Sequence, residues 1–191
     1  MARTTESTIR KRSTEASSQR RERARIPGTP PDAWHHGHVA RTIRPATTGD
    51  AEAIARVHTA SWQVGHRGIV AAGYLDGLDW RDRHREWALR LADAAAINVA
   101  TLVATHPGQG IVGFATSGPT RDKDLSPLRC FELYAIYVLA TSWGTGVGQE
   151  LLAKVVAALP PQATVLTAWV LSANARGRRF YESAGFEPDG R

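Results

Sequence analysis

The segment from Tyr137 to Leu152, YVLATSWGTGVGQELL, constrains this chain more than any other. An apolar, aromatic stretch runs into Gly144, Gly146 and Gly148, and a helical pattern begins at once. The first turn of a helix has backbone N–H groups with no internal partner. Glycine lets the chain turn sharply and lets another molecule approach the backbone. The helix dipole then favours negative charge at that spot. The segment therefore reads as a strand, a turn and a helix, with a cradle for a phosphate or pyrophosphate at the joint.

Two common owners of such a cradle are excluded. A P-loop needs Lys and then Ser or Thr after its last glycine, whereas Gln149 and Glu150 follow Gly148. A dinucleotide fingerprint needs G-x-G-x-x-G and an acidic ribose partner about twenty residues on. Here the spacing is G-x-G-x-G, and Val165 to Trp169 contains no Asp or Glu.

The 191 residues fit one domain with a tail. The net charge of +6 is uneven: residues 1–41 hold nine Lys/Arg against four Asp/Glu, and the remainder fifteen against fourteen. Residues 1–40 are rich in Arg, Ser, Thr, Glu and Pro, which predicts a disordered basic tail. Its run Arg20-Arg21-Glu22-Arg23-Ala24-Arg25 reads as a solvated segment, the other reading being contact with nucleic acid or an acidic surface. His35, His36 and His38 have poor ligand spacing, so no metal is expected. Cys130 is the only cysteine, which rules out an internal disulfide and fits a reducing cytoplasm. No apolar run approaches eighteen residues, and the N-terminus lacks the apolar region of a secretory signal, so no membrane association is expected.

From Arg41 onward, strand and helix patterns alternate. Thr42 to Pro45 is a short strand, and Thr48 or Asp50 can cap a helix carrying Ile54, Val57, Ser61 and Trp62. Residues 74–93 read as more helix, anchored by Trp80, Trp87 and Leu91. Asn98–Thr105 and Ile111–Ser117 form a hairpin about a His106–Gly110 turn. Phe131 to Leu139 is a long strand, Val147 to Leu159 an amphipathic helix stopped by Pro160, and Thr164 to Val170 another strand. Asn174 can cap a last helix that ends at Gly185. This predicts an α/β (α+β) domain over residues 41–191, with helices flanking a mixed, mostly antiparallel sheet.

In this context the glycine segment resembles the GNAT acetyltransferase superfamily, whose Q/R-x-x-G-x-G/A motif follows its fourth strand. Gly146 and Gly148 match the motif's glycines, and Trp143 stands where the family usually has Gln or Arg. A second block, Asn174 to Phe186, resembles the family's closing N-x(6)-Y-x-x-x-G-F motif. Ile43-Arg44-Pro45-Ala46 with Ser61-Trp62 resembles its N-terminal strand and first helix.

The resemblance implies transfer of an acetyl group from acetyl-CoA, a co-substrate, to a primary amine by direct attack. The acceptor would be a small molecule or a peptide amine. It implies that Trp143, Gly144, Thr145, Gly146, Val147 and Gly148 surround the pyrophosphate. Asn174 would contact the pantetheine arm, and Tyr137 and Val138 would offer backbone N–H groups to the thioester. Tyr181 would point at the CoA sulfur. A phenol has a reference pKa near 10 against about 8.5 for a thiol, so Tyr181 is protonated at neutral pH and has a proton to donate to the leaving thiolate. Strand alternation puts Glu132 on one face with Tyr134, Ile136 and Val138, unless a bulge changes that parity. It is a candidate base, acting directly or through water, or a surface carboxylate. Trp62, His66 and Arg67 fall where the family builds its acceptor wall. Cys130 has no local histidine partner and is not expected to act as a nucleophile.

The family fold usually closes with a hairpin after the last helix. Only Phe186 to Arg191 follow here, so the final strand beside Thr164–Val170 is expected to be missing. An exposed edge would result, and a homodimer could cover it. Two other readings stay open: an acyl-CoA-binding module without turnover, and a nucleic-acid-associated protein acting through the tail.

Overall fold

The computed structural model describes residues 18–26, 41–94 and 98–190. The elements in chain order are β1 (Gln19–Arg25), β2 (Thr42–Pro45), α1 (Ala51–Gly65), α2 (Ala72–Asp76), α3 (Trp80–Asp93), β3 (Ala100–His106), β4 (Gly110–Pro119), β5 (Cys130–Val138), α4 (Val147–Ala158), β6 (Val165–Leu171), α5 (Ala175–Ser183) and β7 (Glu187–Pro188). The seven strands form one sheet in the order β2-β3-β4-β5-β6-β1-β7. Its pairings are antiparallel except for β5 with β6.

Successive strand residues face opposite sides of the sheet, and each side has its own core. Val103 and Phe114 meet Ile54, Ala55 and Trp87 beneath α1 and α3. Their neighbours Ala104 and Ala115 meet Leu151, Leu152 and Val155 of α4, with Tyr181 and Phe186 in the same cluster. The helix expected over residues 74–93 is two helices, separated by Gly77-Leu78-Asp79. The Asp79 side chain accepts from the N–H of Arg81 at 2.8 Å, which starts α3 anew. No helix among the described residues is long and apolar enough to cross a membrane.

The N-terminal segment departs most from expectation. Gln19–Arg25, placed by composition in a disordered tail, is a strand. It pairs along its whole length with β6, from Gln19↔Leu171 to Arg25↔Val165. It then accepts β7 on its other edge through Glu22↔Pro188 and Arg23↔Glu187. Two further expectations fall with it. A short C-terminal strand, β7, is present, and the β6 edge expected to lie bare is covered by the chain's own N-terminal segment. With that edge paired, the ground for expecting a homodimer is gone.

The physical reason lies in distant carboxylates. Arg21 is 3% exposed and is held by Asp122, Asp124 and Asp189. A buried cation is tolerable when paired and hydrogen-bonded in this way. Arg20 donates to the buried Glu22 at 2.6 Å. The rest of the expected tail, residues 1–17 and 27–40 with His35, His36 and His38, lies outside the described residues.

Candidate active site

A cleft of about 1490 Å³ opens where β5 and β6 part. Their parallel pairing runs from Cys130↔Val165 to Leu133↔Ala168 and stops. Tyr134 to Val138 then line the cleft instead of a neighbouring strand. A bulge starts the divergence: Ala135 pairs with Thr116 but Leu133 with Ser117, which leaves Tyr134 as the extra residue. The Tyr134 hydroxyl donates to the Pro119 carbonyl at 2.6 Å. A Cβ on Gly118 would lie 2.7 Å from that hydroxyl, so glycine there leaves room for the Tyr134 side chain to make this bond.

The glycine turn forms one end of the cleft. Gly144 (φ +74°) and Gly146 (φ +87°) are left-handed, and Gly146 is the N-cap residue of α4. Gly148 serves packing instead: a Cβ would come within 3.0 Å of the Phe180 ring on α5. Thr145 and Val147 line the cleft with these glycines. Behind the turn, Arg41 donates to the Thr145 carbonyl at 2.6 Å and to Glu150 at 2.7 and 2.9 Å. This clamp neutralises the acid in the helix's first turn, so the charge of Glu150 does not oppose an anion at the turn.

Trp143 is half-buried, and its indole N–H donates to the Val138 carbonyl at 2.9 Å. Asn174 caps α5, its Oδ1 accepting from the Gly177 N–H at 2.9 Å, and lines the cleft. Tyr181, on the same helix, is 7% exposed and lines the cleft. Burial pushes its pKa upward, and Tyr137 and Glu22 push in the same direction. It is therefore a phenol throughout the neutral range.

The opposite end is aromatic. The Trp62 indole N–H donates to the Tyr137 hydroxyl at 2.8 Å. Tyr137 stacks on His58 (4.9 Å between centroids), whose Nδ1 accepts from Trp87 at 3.2 Å. Burial first, then Arg83, Arg90 and His66, hold His58 well below the ordinary histidine pKa, so it is neutral. His66 stacks on Trp62 at 4.5 Å and lines the cleft, and its Nδ1 has no hydrogen-bond partner. Its pKa is lowered mainly by burial.

Two expected site residues lie elsewhere. Glu132 is buried, 1% exposed, but away from the cleft; its carboxylate accepts from the Arg121 backbone N–H at 3.1 Å and pairs with the Arg121 guanidinium. The bulge at Tyr134 separates Glu132 from the cleft-lining part of β5, so simple alternation misplaced it. Arg67 is exposed and bound to Asp76 at 3.0 Å, outside the cleft. Sequence reasoning in turn missed Arg176 and Arg179, which line the cleft from α5. Their i, i+3 spacing is visible in the sequence, but nothing local says which face of the helix meets the cleft.

The family follows from comparison. The model of the acetyltransferase (GNAT) family matches residues 56–186, and the chain belongs to that family. YuaI of Bacillus subtilis strain 168, an uncharacterized N-acetyltransferase, is 33% identical over 113 residues. That match spans 59% of this chain and 61% of the relative's length. The fold is shared with the PaiA N-acetyltransferase of Thermoplasma acidophilum, solved in complex with coenzyme A. The TM-score is 0.64 at 19% identity, over 78% of this chain and 91% of that one. It is shared too with YncA of Salmonella typhimurium, solved with acetyl-CoA: TM-score 0.54 at 24% identity, over 77% and 79% of the two chains.

Proposed function

We propose that this chain transfers an acetyl group from acetyl-CoA to a primary amine. One observation carries the reading: the β5–β6 gap, the left-handed glycine turn and Tyr181 border a single continuous cleft. Structures of the same fold hold coenzyme A and acetyl-CoA. In this reading the pyrophosphate rests at the start of α4, and the pantetheine arm runs along Tyr134–Val138 beside Asn174. The thioester lies near Tyr181.

The amine enters past Trp62, His66 and Tyr74. Its nitrogen attacks the thioester carbonyl carbon, with backbone N–H groups of β5 available to the oxyanion. The C–N bond forms, the C–S bond breaks, and the electron pair leaves on sulfur. Tyr181 O–H donates to that thiolate, and the resulting phenolate takes a proton back from solvent before the next turnover. The nitrogen's surplus proton passes to neutral His66, directly or through water, and on to solvent. His66 thus takes the base role first considered for Glu132. The products are the N-acetylated amine and CoA thiol. The acceptor would be a small molecule or a peptide amine, and the reaction would proceed in the cytoplasm.

The nucleic-acid reading is disfavoured by a specific observation: Arg20, Arg21 and Arg23 of the basic run already meet Glu22, Asp122, Asp124 and Asp189. Thermal unfolding with added acetyl-CoA, ATP or NAD tests the cofactor. Acetyl-CoA should raise the midpoint and the other two should not. Stabilisation by ATP or NAD alone contradicts the proposal.

A further inference from the structure

Trp143 leaves the glycine turn without the polar side chain that the family resemblance places there. A cation reaches the same spot from across the cleft. Arg176, the second residue of α5, holds its guanidinium carbon 3.6 Å from the centroid of the Trp143 ring. The ring itself is fixed by its hydrogen bond to the Val138 carbonyl at 2.9 Å. Arg179 follows one helical turn on, and both arginines line the cleft together with Gly144–Gly148.

These two arginines differ from most others in the chain. Arg21, Arg41, Arg44 and Arg121 are each bound to carboxylates. No carboxylate pairs with Arg176 or Arg179 among the described residues. A guanidinium stacked on an aromatic face keeps its N–H fork free in the ring plane. That fork matches phosphate oxygens in bidentate fashion. Beside it lie the partnerless amides at the start of α4, which attract the same charge.

We propose that Arg176, seated on Trp143 and assisted by Arg179, binds a phosphate of the acyl-CoA donor. The charge absent from the turn is thereby supplied by α5. The inference rests on the CoA reading above and extends it to residues that reading does not require. Arg176 is a binding residue here, with no part in the acyl transfer.

The test uses three acyl donors of decreasing phosphate content: acetyl-CoA, its 3′-dephospho form, and S-acetylpantetheine. Wild type is compared with Arg176→Gln, whose exposed position leaves the apo protein's unfolding midpoint as a folding control. A lost charge-assisted hydrogen bond corresponds to roughly a 10- to 100-fold change. Arg176→Gln should weaken acetyl-CoA binding by that factor in calorimetry, raise KM with little change in kcat, and flatten the salt dependence of binding. S-Acetylpantetheine should serve both proteins equally. If the loss persists with dephospho-acetyl-CoA, the partner is the pyrophosphate; if it vanishes, the partner is the 3′-phosphate. Unchanged acetyl-CoA affinity, or an equal loss with S-acetylpantetheine, overturns the inference. A wild-type protein that binds no acetyl-CoA brings down the CoA reading itself.

Discussion

The Arg21 guanidinium donates from Nε to Asp189 Oδ2 at 2.5 Å, joining residues 168 positions apart. The bond ties the first strand of the sheet to the segment that follows β7. It lies on the far side of β6 from the cleft opening, and Asp122 and Asp124 of the β4–β5 loop meet the same cation. The slot beside β6 is thus filled from the N-terminal end of the chain.

Arg21→Ala should destabilise the protein severely. Three carboxylates would lose their common cation, and breaking a buried pair of this kind costs about 3–5 kcal/mol. Against a total of about 5–15 kcal/mol, that is a large share. Urea denaturation checks it. A variant within about 0.5 kcal/mol of wild type would show that β1 does not depend on this cluster.

Glu132→Gln separates the two roles once open to that residue. The Arg121–Glu132 pair is structural in this account, so stability should fall by about 1–3 kcal/mol. At a temperature where the variant is folded, kcat/KM should stay within about twofold of wild type. A loss of 100-fold or more in kcat with intact folding would return Glu132 to the chemistry.

Tyr181→Phe should lower kcat by about 100-fold or more, the usual range for a lost general acid. Acetyl-CoA affinity should change little, because the ring still fills its place between Phe180 and Phe186. Single-turnover acetyl transfer separates the two effects. An unchanged rate would take Tyr181 out of the proton-donor role.

His58 and His66 make stability depend on pH. Both are neutral when folded because burial lowers their pKa values, whereas the unfolded chain titrates them near 6.5. Between the folded values and about 6.5 the unfolded state binds more protons, so stability rises with pH across that window. Lowering pH from about 7.5 to 5.5 should therefore lower the urea midpoint. His66→Gln should flatten part of that slope and also slow acetyl transfer. A pH-independent midpoint would mean that neither imidazole is held neutral by the fold.

Several parts of this structure were legible in the sequence for local reasons. The glycine turn that leads into α4 and the Asn174 cap are decided within a few residues, and both stand as read. Leu151, Leu152 and Val155 repeat at helical spacing and form the core face of α4. What escaped is set by contacts distant in sequence. Gln19–Arg25 has the composition of a tail, and its strand exists because β6 offers an open edge and three far acids accept Arg21. The position of Glu132 turned on one extra residue at Tyr134, which no periodicity records. Arg176 became a cleft residue only once α5 was laid beside Trp143.

The most direct measurement is CoA thiol release by the purified protein, with acetyl-CoA and a panel of primary amines, and mass spectrometry of the products. The account predicts amine-dependent thiol release matched one-to-one by N-acetylated product, and greatly reduced release by the Tyr181→Phe variant. Tight acetyl-CoA binding with no acetylated amine across the panel would contradict it and leave an acyl-CoA-binding module in its place.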